Sequence, residues 1–156
     1  MKIRIHHFFD IIRDFGIGKK ISPHPYLHVY HKVAQYILEN PDAGFEIVVE
    51  SDAICDGCIH LVNSMCDDLI THRTDFISKE DFNNYIDKRI IKVCNIETGI
   101  VYTPRLLCEF ANKYIENIEL IYQGNDLEHT LLRKENVLKG LHYYSEKHGL
   151  GIKCRT

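Results

Sequence analysis

The sequence places three of its six cysteines close together. Cys55 and Cys58 form a Cys-x-x-Cys pair, and Cys66 follows in the same segment. Two residues between thiols let both sulfurs of a tight turn face one metal ion, at about 2.3 Å for zinc. An even number of cysteines could instead form three disulfides, but that interpretation requires an oxidising compartment. The clustering therefore favours metal or redox chemistry.

Three thiolates leave the fourth position of a tetrahedral site open. The candidates for it are His6, His7, Asp10, His60 and His72. A structural zinc site needs four protein ligands, whereas a catalytic metal or an iron–sulfur cluster can keep one corner for water or substrate. A thioredoxin-like redox pair would lie where a strand enters a helix, and residues 59–64 lack that pattern. We therefore expect metal binding, with the fourth ligand left open.

Basic residues near the N-terminus could add chemistry to this site. Arg4 and His6 share one face of a predicted strand, because side chains alternate along a strand. This cationic pair could hold an anionic substrate, or it could be an ordinary surface pair. His6 and His7 could be metal ligands, catalytic acids or bases, or polar residues at the end of an element. Their spacing alone does not decide between these roles.

Three further histidines recur at helical spacing. His24, His28 and His31 fall at positions i, i+4 and i+7 of a helix predicted from Ser22 to Glu39. Three imidazoles on one stripe can bind zinc, but no carboxylate at helical spacing accompanies them. We therefore interpret these histidines as part of a solvated helix face.

The remaining cysteines are scattered along the chain. Cys94 and Cys108 lie in apolar patterns, which are typical of the small buried residue that free Cys usually is. Cys154 lies two residues from the C-terminal end of the sequence and supports no functional assignment.

Periodicity and capping residues predict the elements that position these side chains. Lys2 to Ile5 alternates like a short strand and leads into a helix through Phe15, and Phe45 to Val49 is a β-branched strand. The remaining predicted elements are helices from Ser78, from Thr103 to about Tyr114 and from Asn125 to about Gly149, and a strand from Glu119 to Tyr122. The segment from Ile54 to Asp67, which carries the clustered cysteines, is irregular.

One domain accounts for all of these elements. The predicted fold is α+β, a helix-rich single domain over residues 1–156 with a few short strands and an irregular cysteine-bearing loop. No internal repeat and no linker rich in Pro, Gly or Ser divides the chain. Residues 116–156 could still form a C-terminal extension, because no shift in composition settles their place.

Composition excludes several classes of function. With 19 basic and 22 acidic residues the formal net charge is −3, so no positive field favours nucleic acid as a partner. Every uncharged stretch is far shorter than the about 20 apolar residues that span a membrane. The N-terminus reaches His6 and then Asp10 before an apolar stretch of secretory length forms, so we expect a cytoplasmic protein. We expect a small molecule or a protein as partner, and the oligomeric state stays open.

The chemistry-bearing segments together resemble one prokaryotic family. The similar segments are Arg4-Ile5-His6-His7-Phe8-Phe9-Asp10, Cys55-Asp56-Gly57-Cys58 with Cys66, and Gly99-Ile100-Val101-Tyr102-Thr103. The family is called domain of unknown function 1284, and the resemblance covers about residues 2–109. Its members carry Arg-x-His-His-x-x-Cys, Cys-x-x-Cys-Pro and a further Cys, and they are described as iron–sulfur-binding proteins of unassigned function. The resemblance implies one site, made of Arg4, His6, His7, Cys55, Cys58 and Cys66.

Two positions depart from the family pattern. Asp10 stands where the family usually has its first Cys, and Ile59 stands where Pro usually follows the Cys-x-x-Cys pair. A hard carboxylate oxygen is a poorer partner than a thiolate for iron–sulfur chemistry, although it can ligate iron or zinc. Zinc held by three Cys and one Asp or His therefore competes closely with an iron–sulfur cluster.

We accordingly expect a cytoplasmic metal-binding protein. Cys55, Cys58 and Cys66 would bind an iron–sulfur cluster or Zn²⁺, with His7 or Asp10 as a further ligand. If the protein is an enzyme of redox or metal-assisted chemistry, His6 or His7 would transfer protons and Arg4 would anchor an anion.

Two alternatives remain. The first is a non-catalytic binding or regulatory module whose zinc stabilises the irregular segment. The second is a metal-free redox protein in which Cys55 and Cys58 form a reversible disulfide.

Overall fold

The computed structural model describes residues 1–151, which form six α-helices and five short strands. In chain order the elements are β1 (Lys2–Arg4), α1 (Ile5–Gly16), α2 (Tyr30–Glu39), β2 (Phe45–Val48), a 3-10 helix (Ala53–Cys55), β3 (Leu61–Val62), β4 (Met65–Cys66), α3 (Lys79–Cys94), β5 (Val101–Tyr102), α4 (Pro104–Glu116), α5 (Ile118–Ile121) and α6 (Leu127–His148). The expected helix-rich α+β single domain is confirmed. Cys154 lies outside the described residues.

A small sheet anchors the N-terminal half of the chain. Its strand order is β1-β2-β5, with β1 and β2 parallel and β5 antiparallel to β2. Ile3 pairs with Ile47 and both are fully buried, as expected of a sheet covered by helices. Because α1 follows β1 without a loop, the sheet fixes the residues at the start of α1.

The capping residues of three helices act as the sequence predicts. The side chains of Ser78, Thr103 and Asp126 each accept a hydrogen bond from a backbone N–H in the first turn of α3, α4 and α6. Gly149 ends α6 in a left-handed conformation, which glycine adopts without steric penalty. These helix starts are therefore set by local sequence.

Two predicted elements are wrong. The helix expected from Ser22 begins only at Tyr30, because Pro25 disfavours a helical conformation at the residue before it and Leu27 adopts a φ of 63°. The strand expected from Glu119 to Tyr122 is the single-turn helix α5. Ile118 and Ile121 are both buried, at the i and i+3 spacing of one helix face.

The core forms chiefly where α6 packs along α1. Val137, Leu141 and Tyr144 of α6 are fully buried there. Gly16 and Gly140 lie at the contact, where a side chain at Gly140 would lie 1.9 Å from the carbonyl oxygen of Ile12. The C-terminal helix is therefore part of the core. Within residues 1–151 no helix is both long and apolar enough to cross a bilayer.

Candidate functional site

A cavity of about 420 Å³ lies above the junction of β1 and α1. The cysteine-bearing segment, the start of α3 and the loop before α2 form its other walls. Its lining includes three cysteines and four histidines, namely Cys55, Cys58, Cys66, His7, His24, His28 and His60. The fold thus brings the clustered cysteines to one cavity together with histidines from three different segments.

The three lining cysteines are partly exposed and free of disulfides. Cys55 ends the 3-10 helix, and the N–H of Cys58 donates to the carbonyl of Cys55 over 3.0 Å, which closes a tight turn. Cys66 lies on β4 of a two-residue hairpin, where Asn63 and Ser64 both have positive φ. The segment expected to be irregular therefore contains a defined turn and a hairpin.

The other two described cysteines are structural. Cys94 is fully buried and Cys108 is 1% exposed, as the sequence predicts. Neither lines the cavity.

Burial raises the pKa of two cavity thiols, those of Cys55 and Cys66. Burial raises the pKa of Cys55 to about 11, and the negative charge of Asp52 acts in the same direction. Burial also raises the pKa of Cys66. A raised thiol pKa opposes nucleophilic reactivity at neutral pH, and any metal bound by these thiols has to displace their protons.

Asp52 connects His7 with the cysteine segment. One carboxylate oxygen accepts from Nδ1 of His7 over 2.7 Å and from the backbone N–H of Arg4 over 2.8 Å. The other accepts from the N–H of Ile54 over 3.0 Å and from Sγ of Cys55 over 3.7 Å. Burial opposes ionisation of Asp52, but the charge and hydrogen bond of His7 lower its pKa to about 2. The same pairing outweighs the burial of His7 and raises the pKa of its imidazole.

Arg4 is held by acceptors of α3. Arg4 is only 1% exposed, and its guanidinium donates to Asn84 over 2.8 Å, to Asp87 over 2.9 Å and to Glu80. Glu80 also accepts from the backbone N–H of Cys66 over 3.1 Å. Arg4 therefore positions the cysteine hairpin through Glu80. Its predicted role as an anion anchor stays a prediction, since these acceptors would compete with the anion.

His6 belongs to the same buried network. Its backbone N–H and its Nδ1 both contact one oxygen of Asp87, at 3.0 and 2.8 Å. His6 is 8% exposed and lies beside the cavity without lining it. Its predicted role in proton transfer stays a prediction.

Asp10 lines the cavity but is paired with two arginines. Its carboxylate lies 2.6 Å from Nη1 of Arg133 on α6 and 3.0 Å from Nη1 of Arg13. Burial raises the pKa of Asp10, but the arginine charges outweigh it and hold that pKa well below the usual 3.8. Asp10 thus joins α1 to α6 by an ion pair.

The ion pair of Asp10 predicts that the free energy of unfolding depends on pH. We expect Asp10→Asn to lower the free energy of unfolding by about 2 kcal/mol at pH 7, because it leaves Arg133 without its carboxylate. Because the folded protein lowers the pKa of Asp10, its ionised carboxylate stabilises the fold above pH 3.8. This stabilisation is lost as the pH falls and the carboxylate is protonated. The difference between the two proteins should therefore shrink from about pH 5 towards pH 3. Urea unfolding across this range measures it, and a constant difference would contradict the prediction.

Two lining histidines are in a loop, not on the solvated helix face that the sequence predicts. The rings of His24 and His28 stack with centroids 4.2 Å apart. Their Nδ1 atoms accept from the backbone N–H groups of Tyr26 and Tyr30, at 3.1 and 3.4 Å. Pro25 is the sequence signal that could have placed them outside a helix.

The remaining candidates for a fourth ligand separate in space. His60 lines the cavity, and its Nδ1 lies 2.9 Å from a carboxylate oxygen of Asp67. His72 lies on a different cavity, next to α6. His31, the third histidine of the predicted helix stripe, is within α2 and does not line the cysteine cavity.

The placement of the donors falls short of a formed metal site. Within residues 1–151, no group of three or more His, Cys, Asp or Glu side chains is arranged so that it could hold a metal ion. The thiols share a cavity, but in this conformation they do not converge on one point. Metal binding would require the thiols to turn towards each other.

Comparison with known proteins found none that is similar to this chain. No protein-family model matches the chain, and no curated protein and no solved structure matches it. The family resemblance therefore stays an expectation from the motif residues.

Proposed function

We propose that the protein binds a metal ion or an iron–sulfur cluster through the thiolates of Cys55, Cys58 and Cys66. One observation carries this proposal. The three clustered cysteines all line one cavity, whereas Cys94 and Cys108 are buried in the core. Thiolates are soft ligands, which favour zinc and iron–sulfur clusters over magnesium or calcium.

The cysteine segment can adjust to a metal because little burial holds it. Ile59, Val62 and Met65 are 57%, 47% and 60% exposed, so few apolar contacts fix the residues between the thiols. Segments with few buried contacts open and rearrange at low free energy. Rotation of the cysteine side chains would turn the sulfurs towards each other while Glu80 still holds the backbone of Cys66.

The bound group would supply redox or Lewis-acid chemistry at the cavity. The protein's own contribution is the placement of the polar groups around it. Asp52 orients His7, Arg4 fixes Glu80, and Glu80 fixes the backbone of Cys66. Such outer contacts orient ligands and tune metal affinity.

The exposed cysteine segment also favours a second candidate function. A zinc ion that only stabilises this segment would make the protein a non-catalytic binding module. Metal removal should then unfold residues around the hairpin, which loss of protection in amide hydrogen exchange would reveal. A redox or catalytic metal should leave the fold intact when it is removed.

Metal analysis tests the proposal directly. We expect untagged protein, purified without oxygen, to contain one zinc ion per chain or stoichiometric iron with acid-labile sulfide. Iron–sulfur protein should also absorb visible light. A tag-free preparation is needed because the chain has 10 histidines, which bind nickel during affinity purification.

A matched pair of cysteine variants locates the metal. Cys58→Ser should retain less than about a tenth of the metal, because it removes one of three thiolates. Cys94→Ala, a control on a fully buried thiol outside the cavity, should keep it. Equal metal in Cys58→Ser and wild type, or no metal in reconstituted wild type, would overturn the proposal.

A further inference from the structure

A second cavity, of about 590 Å³, lies beside α6 and is lined by none of the three clustered cysteines. Its walls are α6, the loop before α6, the end of α1, the start of α3 and the segment around His72. Cavities of a few hundred cubic ångströms are the usual size of small-molecule sites. Asp10 lines the cysteine cavity, whereas its partners Arg13 and Arg133 line this one, so their ion pairs lie between the two cavities.

Arg133 offers unused hydrogen-bond donors to this second cavity. Its Nη1 lies 2.6 Å from the carboxylate of Asp10 and 3.5 Å from the hydroxyl of Tyr114. The guanidinium carbon lies 4.6 Å from the ring centroid of Tyr122, and this contact helps to hold the guanidinium in place. Both polar contacts that the guanidinium makes with residues 1–151 use Nη1, so Nε and Nη2 remain for a ligand. Two parallel N–H groups of an arginine match the two oxygens of a carboxylate.

The charges next to Arg133 favour an anion. Arg13 is fully used, because its Nη1 donates to Asp10 and its Nε and Nη2 both donate to Asp14. Lys19 also pairs with Asp14. Three cations therefore face two carboxylates, which leaves one positive charge in excess. The side chain of Arg133 is only 18% exposed, and a charge shielded from water attracts an anion more strongly.

Asp126 is the acidic residue of the lining. It is exposed, and its carboxylate caps α6 by accepting the backbone N–H of His129 over 2.8 Å. Water and salt therefore screen its charge, which opposes an anion less than a buried carboxylate would.

Aromatic and apolar side chains line much of the remaining cavity. Phe82 and His72 lie edge to face with ring centroids 5.1 Å apart, and Tyr122 and Leu132 add apolar surface. Tyr122 is 5% exposed, whereas Leu132 is 51% exposed and lies at the mouth. A flat apolar body gains from contact with such a lining, whereas a small inorganic anion would lose hydration without that gain.

Arg73 fixes the wall that carries His72 and Phe82. Its Nη1 donates to the carbonyl oxygen of Gln123 over 3.0 Å and to Oδ1 of Asn125 over 2.6 Å. The side chain of Arg73 is 6% exposed, so water competes little for these contacts. They tie the segment before α3 to the loop before α6, so both walls are in place before a ligand binds.

We propose that this second cavity binds an aromatic carboxylate. The carboxylate accepts from Nε and Nη2 of Arg133, and the aromatic body packs against Phe82 and Leu132. The site is separate from the cysteine cavity and does not depend on the metal-binding function proposed above.

Binding of 2-naphthoate to the untagged full chain tests this proposal. We expect an NMR titration to give a Kd of about 1 mM or tighter. The backbone amide signals that shift should be those of Phe82 and residues 129–136, and not those of residues 55–66. The neutral probe naphthalene-2-carboxamide should bind at least about 10-fold more weakly, because it lacks the charge that pairs with Arg133.

Three variants locate the carboxylate. Arg133→Lys keeps a positive charge beside Asp10 but loses the paired donors, so 2-naphthoate should bind about 10-fold more weakly. Leu132→Glu places a negative charge at an exposed position of the mouth and should weaken binding about 2- to 5-fold. Lys139→Ala is the control, because it removes an exposed cation of α6 outside the cavity, and it should bind like wild type.

Four results would overturn the proposal. No binding of 2-naphthoate at millimolar concentrations, or equal binding of the acid and the carboxamide, would exclude a carboxylate site. Equal affinity of wild type and Leu132→Glu would place the probe elsewhere, and Leu132 is exposed, so this variant leaves the core intact. Loss of binding in Cys58→Ser would move the probe to the cysteine cavity. We expect Cys58→Ser to bind 2-naphthoate like wild type, whatever metal it retains.

Discussion

Asp87→Ala is expected to lower the free energy of unfolding by about 3–5 kcal/mol. The carboxylate of Asp87 is fully buried and accepts from the guanidinium of Arg4 and from both the backbone and the ring of His6. Its removal leaves the buried charge of Arg4 with Glu80 as its remaining carboxylate partner and two N–H groups of His6 unpaired. Unpaired buried groups lose their hydration without compensation, which is why the effect is large.

Urea unfolding of the metal-free protein, followed by circular dichroism, measures this effect. Lys88→Ala is the matched control, because it changes the next residue of α3 at an exposed position. We expect the control to change the free energy of unfolding by less than about 0.5 kcal/mol. A loss below about 1 kcal/mol in Asp87→Ala would show that the network contributes little to stability.

Gly140→Ala is expected to lower the free energy of unfolding by about 3 kcal/mol, the upper end of the range for overpacking. A methyl group there would lie 1.9 Å from the carbonyl oxygen of Ile12, so the backbones of α1 and α6 would have to separate. Backbone cannot rotate away as a side chain can. Gly16→Ala tests the same contact from α1, since its methyl group would lie 2.1 Å from the carbonyl oxygen of Asn136.

Thermal and urea unfolding measure the stability of Gly140→Ala and of its control, Lys139→Ala. Lys139 is exposed and its ion pair with Glu135 lies on the surface, so its removal should change stability by less than about 0.5 kcal/mol. Equal stability of the two variants would mean that α1 and α6 are further apart than the structure has them.

Local elements of this fold could be predicted, because their causes are local. Ser78, Thr103 and Asp126 bond N–H groups only three residues away, and such pairs are visible in the sequence. The helix predicted from Ser22 is wrong because the conformational effect of Pro25 outweighs the apolar periodicity of the segment. The position of α5 could not be predicted, since its two isoleucines suit a strand as well as a helix until their burial is known.

The cavity could be predicted only in part. The spacing of Cys55, Cys58 and Cys66 indicates a shared site, and the structure places all three on one cavity. The partners of Arg4 lie on α3, 76 to 83 residues away, so no pattern near Arg4 reveals them. Asp52 precedes the cysteines closely, but its contact with His7 spans 45 residues and depends on the β1–β2 pairing.

The contact between α1 and α6 sets the order of events during synthesis. α1 carries His7 and Asp10, yet the helix that packs against it is the last element described and ends at His148. Contacts of such long sequence separation form late and slow folding. A nascent chain from which all three cavity cysteines have already emerged therefore still lacks α6, and α1 is not yet packed against it. If the proposed function is correct, metal binding would follow the completion of α6, and a ribosome-bound fragment without that helix would present the thiols of Cys55, Cys58 and Cys66 without the packed core beside them.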